Sequence, residues 1–199
     1  LWQVDFQKEF GSTTPRWGFS TSPLILGETI IGEIGGTENR AFAAFNKSNG
    51  KLLWAKGEGT SSYNSPLIAS FDGQEQIIFV NGTKLHSYNA NGDTLWTYQM
   101  PFGYMSAMPV LVDRNKIFVS TIRETGFILV EINNNVATEV ISGNSMKNDF
   151  SSSCYYNGNI YGFHVAALRC ISAETGEVKW TKRGYGKGSL ILVGNKLFI

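Results

Sequence analysis

A Gly-x-x-x-Trp pattern recurs along the chain and constrains its fold more than any other feature. It spans residues 50–54, 92–96 and 176–180. The first two tryptophans lie 42 residues apart and the third lies 84 residues further on, which is twice that spacing. A degenerate copy is therefore expected in between, with Asn133–Asn135 as its turn and Val140 in place of the tryptophan. A fixed period of about 20–50 residues is the signature of a repeat architecture.

Each period contains two hairpin patterns. Segments that begin at Ser22, Ser65, Met108, Ser153 and Ser189 each have a short apolar run, a Gly/Asn/Asp turn and a second apolar run. This pattern is typical of a tight hairpin of strands A and B. The glycine before each tryptophan marks a second turn, between strands C and D. Four short antiparallel strands per period form a propeller blade, so the sequence predicts an all-β fold, a β-propeller of four-stranded antiparallel blades.

The period also predicts the blade boundaries. Complete blades are expected at about residues 3–54, 55–96, 97–140 and 141–180. Trp2 would belong to strand D of an earlier blade, and residues 181–199 would supply strands A and B of the next one. We therefore expect residues 1–199 to be a single β-propeller domain or a fragment of one, with further blades in a longer chain. A small ring closed by the two chain ends is the alternative.

The stretches AFNKSNGKLLW (44–54) and CISAETGEVKW (170–180) resemble the repeat of pyrroloquinoline quinone (PQQ)-like, or quinoprotein alcohol dehydrogenase-like, β-propellers. The resemblance covers four full repeats and is closest in style to the non-catalytic outer-membrane assembly lipoproteins of that family. In such blades the outer-strand tryptophan docks between neighbouring blades. The resemblance therefore implies a structural, blade-docking role for Trp54, Trp96 and Trp180, together with Gly50, Gly92 and Gly176.

Strand direction sorts the loops onto two faces. Because neighbouring strands are antiparallel, the D–A and B–C loops emerge on one face and the A–B and C–D turns on the other. The D–A loops and two B–C loops are long, and binding residues concentrate on long loops held by a rigid scaffold. We call this the long-loop face. Its candidate binding residues are Arg16, Trp17, Asn39, Arg40, Tyr63, Tyr104, Arg123, Asn148 and Asp149.

Charge and hydropathy narrow the classes of partner. Lys plus Arg number 17 and Asp plus Glu number 16, with no basic block, so nucleic acid is not an expected partner. No apolar run reaches the length of about 18 residues that a transmembrane helix needs. An arginine beside a tryptophan, as at Arg16 and Trp17, suits a protein or carbohydrate partner. The resemblance implies a periplasmic or extracellular location, and any signal peptide would lie outside this chain.

A metal site at Cys154, His164 and Cys170 is not expected. A hairpin loop at Gly158–Asn159 would place Cys154 opposite Phe163, and His164 would then point to the other side of the sheet. Cys170 would lie two strands away, which is also too far for a disulfide with Cys154. Two buried free thiols are the expected outcome.

PQQ chemistry is the main catalytic alternative. Quinoprotein dehydrogenases of this resemblance carry an adjacent Cys-Cys pair, a Ca²⁺ site and a catalytic Asp, and this chain has no adjacent cysteines. Asn148 and Asp149 could offer oxygen ligands, but an Asx turn is favoured there. We therefore predict no catalytic, cofactor or metal residues, and expect a non-catalytic binding or scaffold module. Part of a PQQ-dependent alcohol dehydrogenase with Ca²⁺, and an extracytoplasmic sensor domain, are the open alternatives.

Overall fold

The structure, a computed structural model, describes residues 1–103, 106–123 and 125–199. In these residues the strands form four four-stranded antiparallel sheets and one two-stranded hairpin, and strands that are consecutive in sequence are neighbours in each sheet. This architecture confirms the predicted all-β, β-propeller fold class. No helix in the described part of the chain is long and apolar enough to span a bilayer.

The sheets follow one another along the chain. The first contains β1 (Leu24–Leu26), β2 (Thr29–Gly36), β3 (Arg40–Asn46) and β4 (Leu52–Lys56). The second contains β5 (Leu67–Phe71), β6 (Gln74–Asn81), β7 (Lys84–Tyr88) and β8 (Thr94–Gln99). The third contains β9 (Val110–Val112), β10 (Lys116–Ser120), β11 (Phe127–Asn133) and β12 (Val136–Gly143). The fourth contains β13 (Cys154–Tyr156), β14 (Asn159–His164), β15 (Ala167–Ser172) and β16 (Val178–Lys182), and the hairpin contains β17 (Ile191–Val193) and β18 (Lys196–Phe198).

The chain divides into two compact units. The first comprises Leu1–Ala69 and Gln74–Met100, and the second comprises Ser70–Gly73 and Pro101–Ile199. Each unit has its own apolar core. In the first unit the rings of Phe42 and Phe79 stack with centroids 4.0 Å apart. In the second, Phe118 and Phe127 stack at 5.3 Å.

Side-chain oxygens and left-handed glycines build three of the C–D turns. A polar side chain at the end of strand C accepts hydrogen bonds from N–H groups inside the turn, at Asn46, Asn89 and Ser172. The glycine that closes each turn has a left-handed φ, 72° at Gly50, 77° at Gly92 and 72° at Gly176. A residue with a Cβ adopts this conformation only at a cost, so the recurring glycine has a backbone reason.

The third sheet turns differently, and this corrects the predicted position of its tryptophan substitute. Its C–D turn is the pair Asn134–Asn135, both with left-handed φ. In the other sheets the tryptophan pairs with strand C just beside a β-bulge, and the residue paired at that place in the third sheet is Ile141, opposite Leu129. Val140 lies at the bulge and is 46% exposed. Ile141, not Val140, therefore takes the place of the tryptophan.

A short helix, α1 (Phe6–Phe10), lies in the segment before the first sheet, where the sequence indicated only a long loop. Asp5 caps it, because its Oδ1 accepts hydrogen bonds from the N–H groups of Gln7 and Lys8 at 3.1 and 3.2 Å. Gly11 ends it with a left-handed φ of 67°. The helix buries Phe10 against Phe45 of β3, with ring centroids 6.0 Å apart.

Tryptophan–glycine contacts join neighbouring elements of the first unit. A Cβ on Gly92 would lie 2.6 Å from the indole of Trp54, and one on Gly50 would lie 2.5 Å from the indole of Trp2. Trp2 lies outside any strand, yet its ring makes the contact expected of a strand D residue. The tryptophan of one element therefore rests on the glycine turn of the next.

The remaining predicted docking residues make other contacts. Trp96 is buried, and its Nε1 donates to Gln76 Oε1 of the same sheet at 2.8 Å. Trp180 is half-buried and lies 6.0 Å from the ring of Tyr161. A Cβ on Gly176 would lie 2.8 Å from the ring of Phe127. In the second unit, phenylalanine therefore fills the space over the glycine turn.

Candidate binding face

Three of the predicted binding residues meet on the long-loop face of the first unit. The guanidinium carbon of Arg16 lies 4.8 Å from the ring centroid of Trp17, within cation–π distance. The backbone N–H of Trp17 donates to the hydroxyl of Tyr63 at 3.2 Å. The Trp17 side chain is nevertheless 71% exposed. The structure therefore presents a large ring to solvent on an anchored backbone.

The two D–A loops that carry these residues are fastened to each other. Ser22, at the end of the first loop, donates its N–H to Ser65 Oγ in the second loop at 2.8 Å. Together with the bond between Trp17 and Tyr63, this contact joins the loops at two points. The exposed ring therefore sits on a surface with a defined position, which lowers the entropy lost when a partner binds.

A buried carboxylate holds the second of these loops. Glu33 of β2 is 3% exposed, and its Oε2 accepts the N–H and hydroxyl of Ser62 at 2.9 and 2.7 Å. Its Oε1 accepts from the amide of Asn81 at the end of β6. Burial raises the pKa of Glu33 from 4.5 to about 7, although the bonds from Ser62 and Asn81 oppose that shift. Tyr63, which anchors Trp17, follows directly after Ser62.

Arg40 and Asn39 belong to the B–C turn of the first sheet. Arg40 Nε donates to Thr37 O at 3.0 Å, and Nη2 lies 3.3 Å from a carboxylate oxygen of Glu38. Its guanidinium also lies 5.6 Å from the ring centroid of Phe10. Asn39 has a left-handed φ of 58°, which asparagine tolerates better than most residues. Both residues therefore shape the turn, and Arg40 offers a partner a side chain that is already bonded.

The structure corrects the prediction that Asn148 is a surface binding residue. Asn148 is 2% exposed. Its N–H donates to Ser120 Oγ at 3.0 Å, its Nδ2 donates to Phe163 O at 3.1 Å, and its Oδ1 accepts from Ser153 Oγ at 2.9 Å. Asn148 thus bridges strand B of the third sheet through its backbone N–H and strand B of the fourth through its side chain. Its role is to join two sheets.

Ser62 makes the same bridge in the first unit. Its N–H donates to Glu33 of β2, and its hydroxyl also reaches Val80 O of β6 at 3.1 Å. Ser120 takes the place of Glu33 in the second unit, since it accepts the N–H of Asn148. A residue in the D–A loop therefore joins successive B strands in both units. Among the residues that the structure describes, the ionisable group in such a bridge is Glu33 of the first unit.

Asp149 is engaged in an ion pair that the sequence did not reveal. Lys187 Nζ lies 2.6 Å from Asp149 Oδ2 and 5.7 Å from the ring centroid of Phe150. Lys187 lies in the glycine-rich stretch GYGKGS (184–189), in the D–A loop before β17. Two D–A loops of the second unit therefore meet through these side chains.

The last two predicted face residues are Arg123 and Tyr104. Arg123 lines an open cleft of about 690 Å³ together with Phe102 and Lys147. Tyr104 lies outside the described residues. The candidate face of the second unit is therefore carried by Arg123, Asp149 and the newly found Lys187.

The cysteines and the Asn-Asp pair do not form the donor sets that PQQ or Ca²⁺ would need. The fourth-sheet hairpin turns at Asn157–Gly158, not at the predicted Gly158–Asn159, so Cys154 pairs with Tyr161, which in turn pairs with Cys170. The two thiols are thus separated by a strand, and they are free. The side-chain oxygen of Asn148 already accepts a hydrogen bond from Ser153 Oγ. These residues do not fit a vicinal-cysteine PQQ site or a shared Ca²⁺ site.

The fold and the face define the class of the protein. Four-stranded sheets in sequential order, with long D–A loops and a tryptophan–glycine contact between the first two sheets, are typical of a PQQ-like β-propeller. The model of the outer membrane protein assembly factor BamB family matches residues 1–182. The chain therefore belongs to the BamB family.

Solved structures similar to the chain include a natural and a designed protein. BamB from Moraxella catarrhalis is 13% identical with a TM-score of 0.47, over 88% of this chain and 64% of that one. The computationally designed Ika8 protein is 10% identical with a TM-score of 0.60, over 88% of this chain and 53% of that one. The chain therefore spans less than two thirds of either protein, and the likeness to the designed protein shows the fold alone. No curated protein matches the chain.

Proposed function

We propose that this chain is part of a non-catalytic β-propeller module that binds a protein partner through its long-loop face. The observation that carries the proposal is the exposed indole of Trp17, with Arg16 against its ring and its backbone anchored by Tyr63. Tryptophan, tyrosine and arginine are the residues most enriched among those that dominate protein–protein affinity. A partner would cover a large apolar ring that now faces water.

Family membership supports a protein partner over a carbohydrate. The family takes its name from an assembly factor for outer membrane proteins, and such a role requires contact with other proteins. We place the module in the periplasm as part of the same proposal. A sugar bound against Trp17 remains the competing occupant, and it is tested by the same variants.

Loss of the Trp17 ring tests the proposal. The full-length protein, its Trp17→Ala variant and a Leu53→Ala variant are tagged and purified from cells, and co-purified proteins are quantified by mass spectrometry. We expect a partner that binds about 30-fold more weakly to Trp17→Ala, the effect of one tryptophan hot spot. Leu53, half-exposed on β4 away from the long loops, is the matched apolar control. Equal recovery of the partner protein with both variants would contradict the proposal. A soluble oligosaccharide that binds through Trp17 without displacing any protein would also contradict it.

The dehydrogenase alternative has its own test. PQQ and Ca²⁺ are added to the full-length protein, and alcohol oxidation is followed with an artificial dye as electron acceptor. The proposed function predicts no activity above that of the cofactor alone. Dye reduction that depends on the protein would overturn the non-catalytic assignment.

A further inference from the structure

A pocket of about 380 Å³ opens on the long-loop face of the second unit. It lies between the D–A loop before β13, the end of β14 and the D–A loop before β17. Phe150, Phe163 and Val165 form its apolar walls, and Asp149 and Lys187 lie at its polar rim. Small binding sites typically have this form, with aromatic and aliphatic walls and a few polar groups.

The two phenylalanines that line the pocket differ in their exposure to solvent. Phe163 is buried and forms the floor, whereas the ring of Phe150 is 73% exposed. The only charge that the structure places over the Phe150 ring, in the described part of the chain, is the ammonium of Lys187. Because an apolar group that covers the Phe150 ring removes water from exposed apolar surface, the pocket favours an apolar occupant.

Val165 forms the third wall from a strained backbone. Its φ of 58° lies in the left-handed region, where a β-branched residue is an outlier. Its N–H donates to Lys147 O at 3.0 Å, which ties the turn to the D–A loop before β13. Strain of this kind persists only where the surrounding structure enforces it, and it concentrates at binding sites. The turn therefore holds an aliphatic side chain in the pocket wall.

Positive charge surrounds the same turn. Burial lowers the pKa of His164, the residue before Val165, and the charges of Arg169, Lys147 and Arg183 lower it further. The carboxylate and the ammonium at the pocket rim neutralise each other. Lys147, Arg169 and Arg183 thus add positive charge near this turn, and positive charge beside the pocket complements an anionic partner.

We propose that this pocket binds an apolar side chain from an acidic segment of a protein partner. The walls accommodate one aromatic or branched side chain, and the surrounding cations attract the carboxylates that flank it. The inference rests on the proposed function, because it gives the chemistry of a partner that binds through the long loops. A neutral sugar would gain little from the cations, and sugar binding is an outcome that the test includes.

Peptide probes test the pocket directly. Isotope-labelled full-length protein is titrated with the blocked pentapeptide Asp-Glu-Phe-Glu-Asp, and the amide signals of Val165 and Gly188 are followed by NMR. We expect saturable shifts at both amides, with a Kd below about 1 mM that rises about tenfold in 0.5 M NaCl because salt screens the charges. The analogues Asp-Glu-Ala-Glu-Asp and Lys-Lys-Phe-Lys-Lys should each bind about tenfold more weakly. Equal binding of all three peptides would overturn the inference. It would also be overturned if chitotriose, and not the first peptide, shifts these amide signals.

Variants at the rim separate binding from structure. Phe150→Ala should weaken the first peptide about tenfold, whereas Tyr156→Ala, an exposed aromatic residue on the A–B hairpin of the same sheet, should leave it unchanged. Lys187→Gln should weaken binding, and Asp149→Asn should strengthen it about threefold because a repelling carboxylate is lost. A purely structural ion pair would give changes of the same sign at both partners. If Lys187→Gln and Asp149→Asn change the peptide affinity in the same direction, the proposed pocket function is wrong. It is also wrong if Phe150→Ala has no effect on the affinity.

The outcome also separates this inference from the proposed function. Trp17 lies in the first unit, and the pocket lies in the second. If no peptide binds while Trp17→Ala still loses a protein partner, the pocket inference is wrong and the proposed function stands. If peptides bind as expected but Trp17→Ala recovers every partner, the binding site lies at the pocket and the proposed role of Trp17 is wrong.

Discussion

The indole of Trp54 lies directly against Gly92, and its Nε1 donates a hydrogen bond to Ala90 O at 3.0 Å. Its other neighbour is Tyr88, whose ring is nearly parallel at a centroid distance of 6.1 Å. One side chain of the first sheet therefore meets both the backbone turn and the core of the second sheet. This contact gives the repeated tryptophan and the repeated glycine a common physical reason.

Truncation of the tryptophan should be costly. Trp54→Ala removes a buried ring and its hydrogen bond, so we expect a loss of about 3–5 kcal/mol in the free energy of unfolding. Urea unfolding followed by circular dichroism measures the loss. A cost below about 1 kcal/mol would mean that the ring does not stabilise the contact.

Alanine at Gly92 should cost more than alanine at Gly82. Both glycines have left-handed φ values, 77° and 57°, so both variants pay a similar backbone penalty. A Cβ on Gly92 would meet Trp54, whereas a Cβ on Gly82 would meet nothing within 4 Å. We expect Gly92→Ala to lose about 1–3 kcal/mol more than Gly82→Ala, the cost of overpacking. Equal losses in urea unfolding would show that the turn, and not the ring, requires glycine.

Glu33→Gln should change how stability depends on pH. The pKa of Glu33 rises from 4.5 to about 7 in the folded chain, so its contribution is fully present below pH 4.5 and is lost as pH rises through 7. Glutamine does not titrate. The variant should therefore gain about 3 kcal/mol relative to the parent between pH 4 and pH 7. Urea unfolding at both pH values measures the difference, and a difference that is independent of pH would contradict the raised pKa.

His86→Phe should change the pH dependence of stability in the opposite direction to Glu33→Gln. Burial, with the charge of Lys84, lowers the pKa of His86 from 6.5 to about 4, against the opposing effect of Glu58. The stability that this neutral ring provides is present above pH 6.5 and is lost as pH falls through 4. Phenylalanine keeps the ring contact with Phe42 but cannot bind a proton. The parent should therefore lose about 3 kcal/mol relative to the variant between pH 7 and pH 4, and parallel curves would contradict this.

The repeat was predictable from the sequence because each of its turns has a local chemical signature. Glycine at a left-handed position, preceded by Asn46 or Asn89, marks the C–D turn without any knowledge of tertiary contacts. In the third sheet, the repeat period alone did not predict which residue replaces the tryptophan. All four sheets have the same β-bulge beside the docking position, but the third sheet turns at Asn134–Asn135. This different turn changes the number of residues between strand C and the docking position, which falls at Ile141.

The binding face was predictable only as a set of loops. Trp17 and Tyr63 are 46 residues apart in sequence, and their contact depends on two loops that meet in space. Asn148 could not be recognised as buried, because its partners lie on two different strands. Lys187 was missed for the same reason, since its pairing with Asp149 joins residues that are 38 positions apart. Long-range contacts, not local propensity, decide which polar loop residues remain available.

Photo-crosslinking from the two faces of the first unit tests the central claim most directly. A photoreactive phenylalanine derivative, which keeps an aromatic ring, is placed in the full-length protein at position 17, on the long-loop face, or at position 48, in the C–D turn on the opposite face. Both native residues are exposed, so each probe is accessible to a partner. After irradiation of living cells, we expect a discrete protein adduct from position 17 and none from position 48. An adduct from position 48 alone would contradict the assignment of the long-loop face as the binding surface.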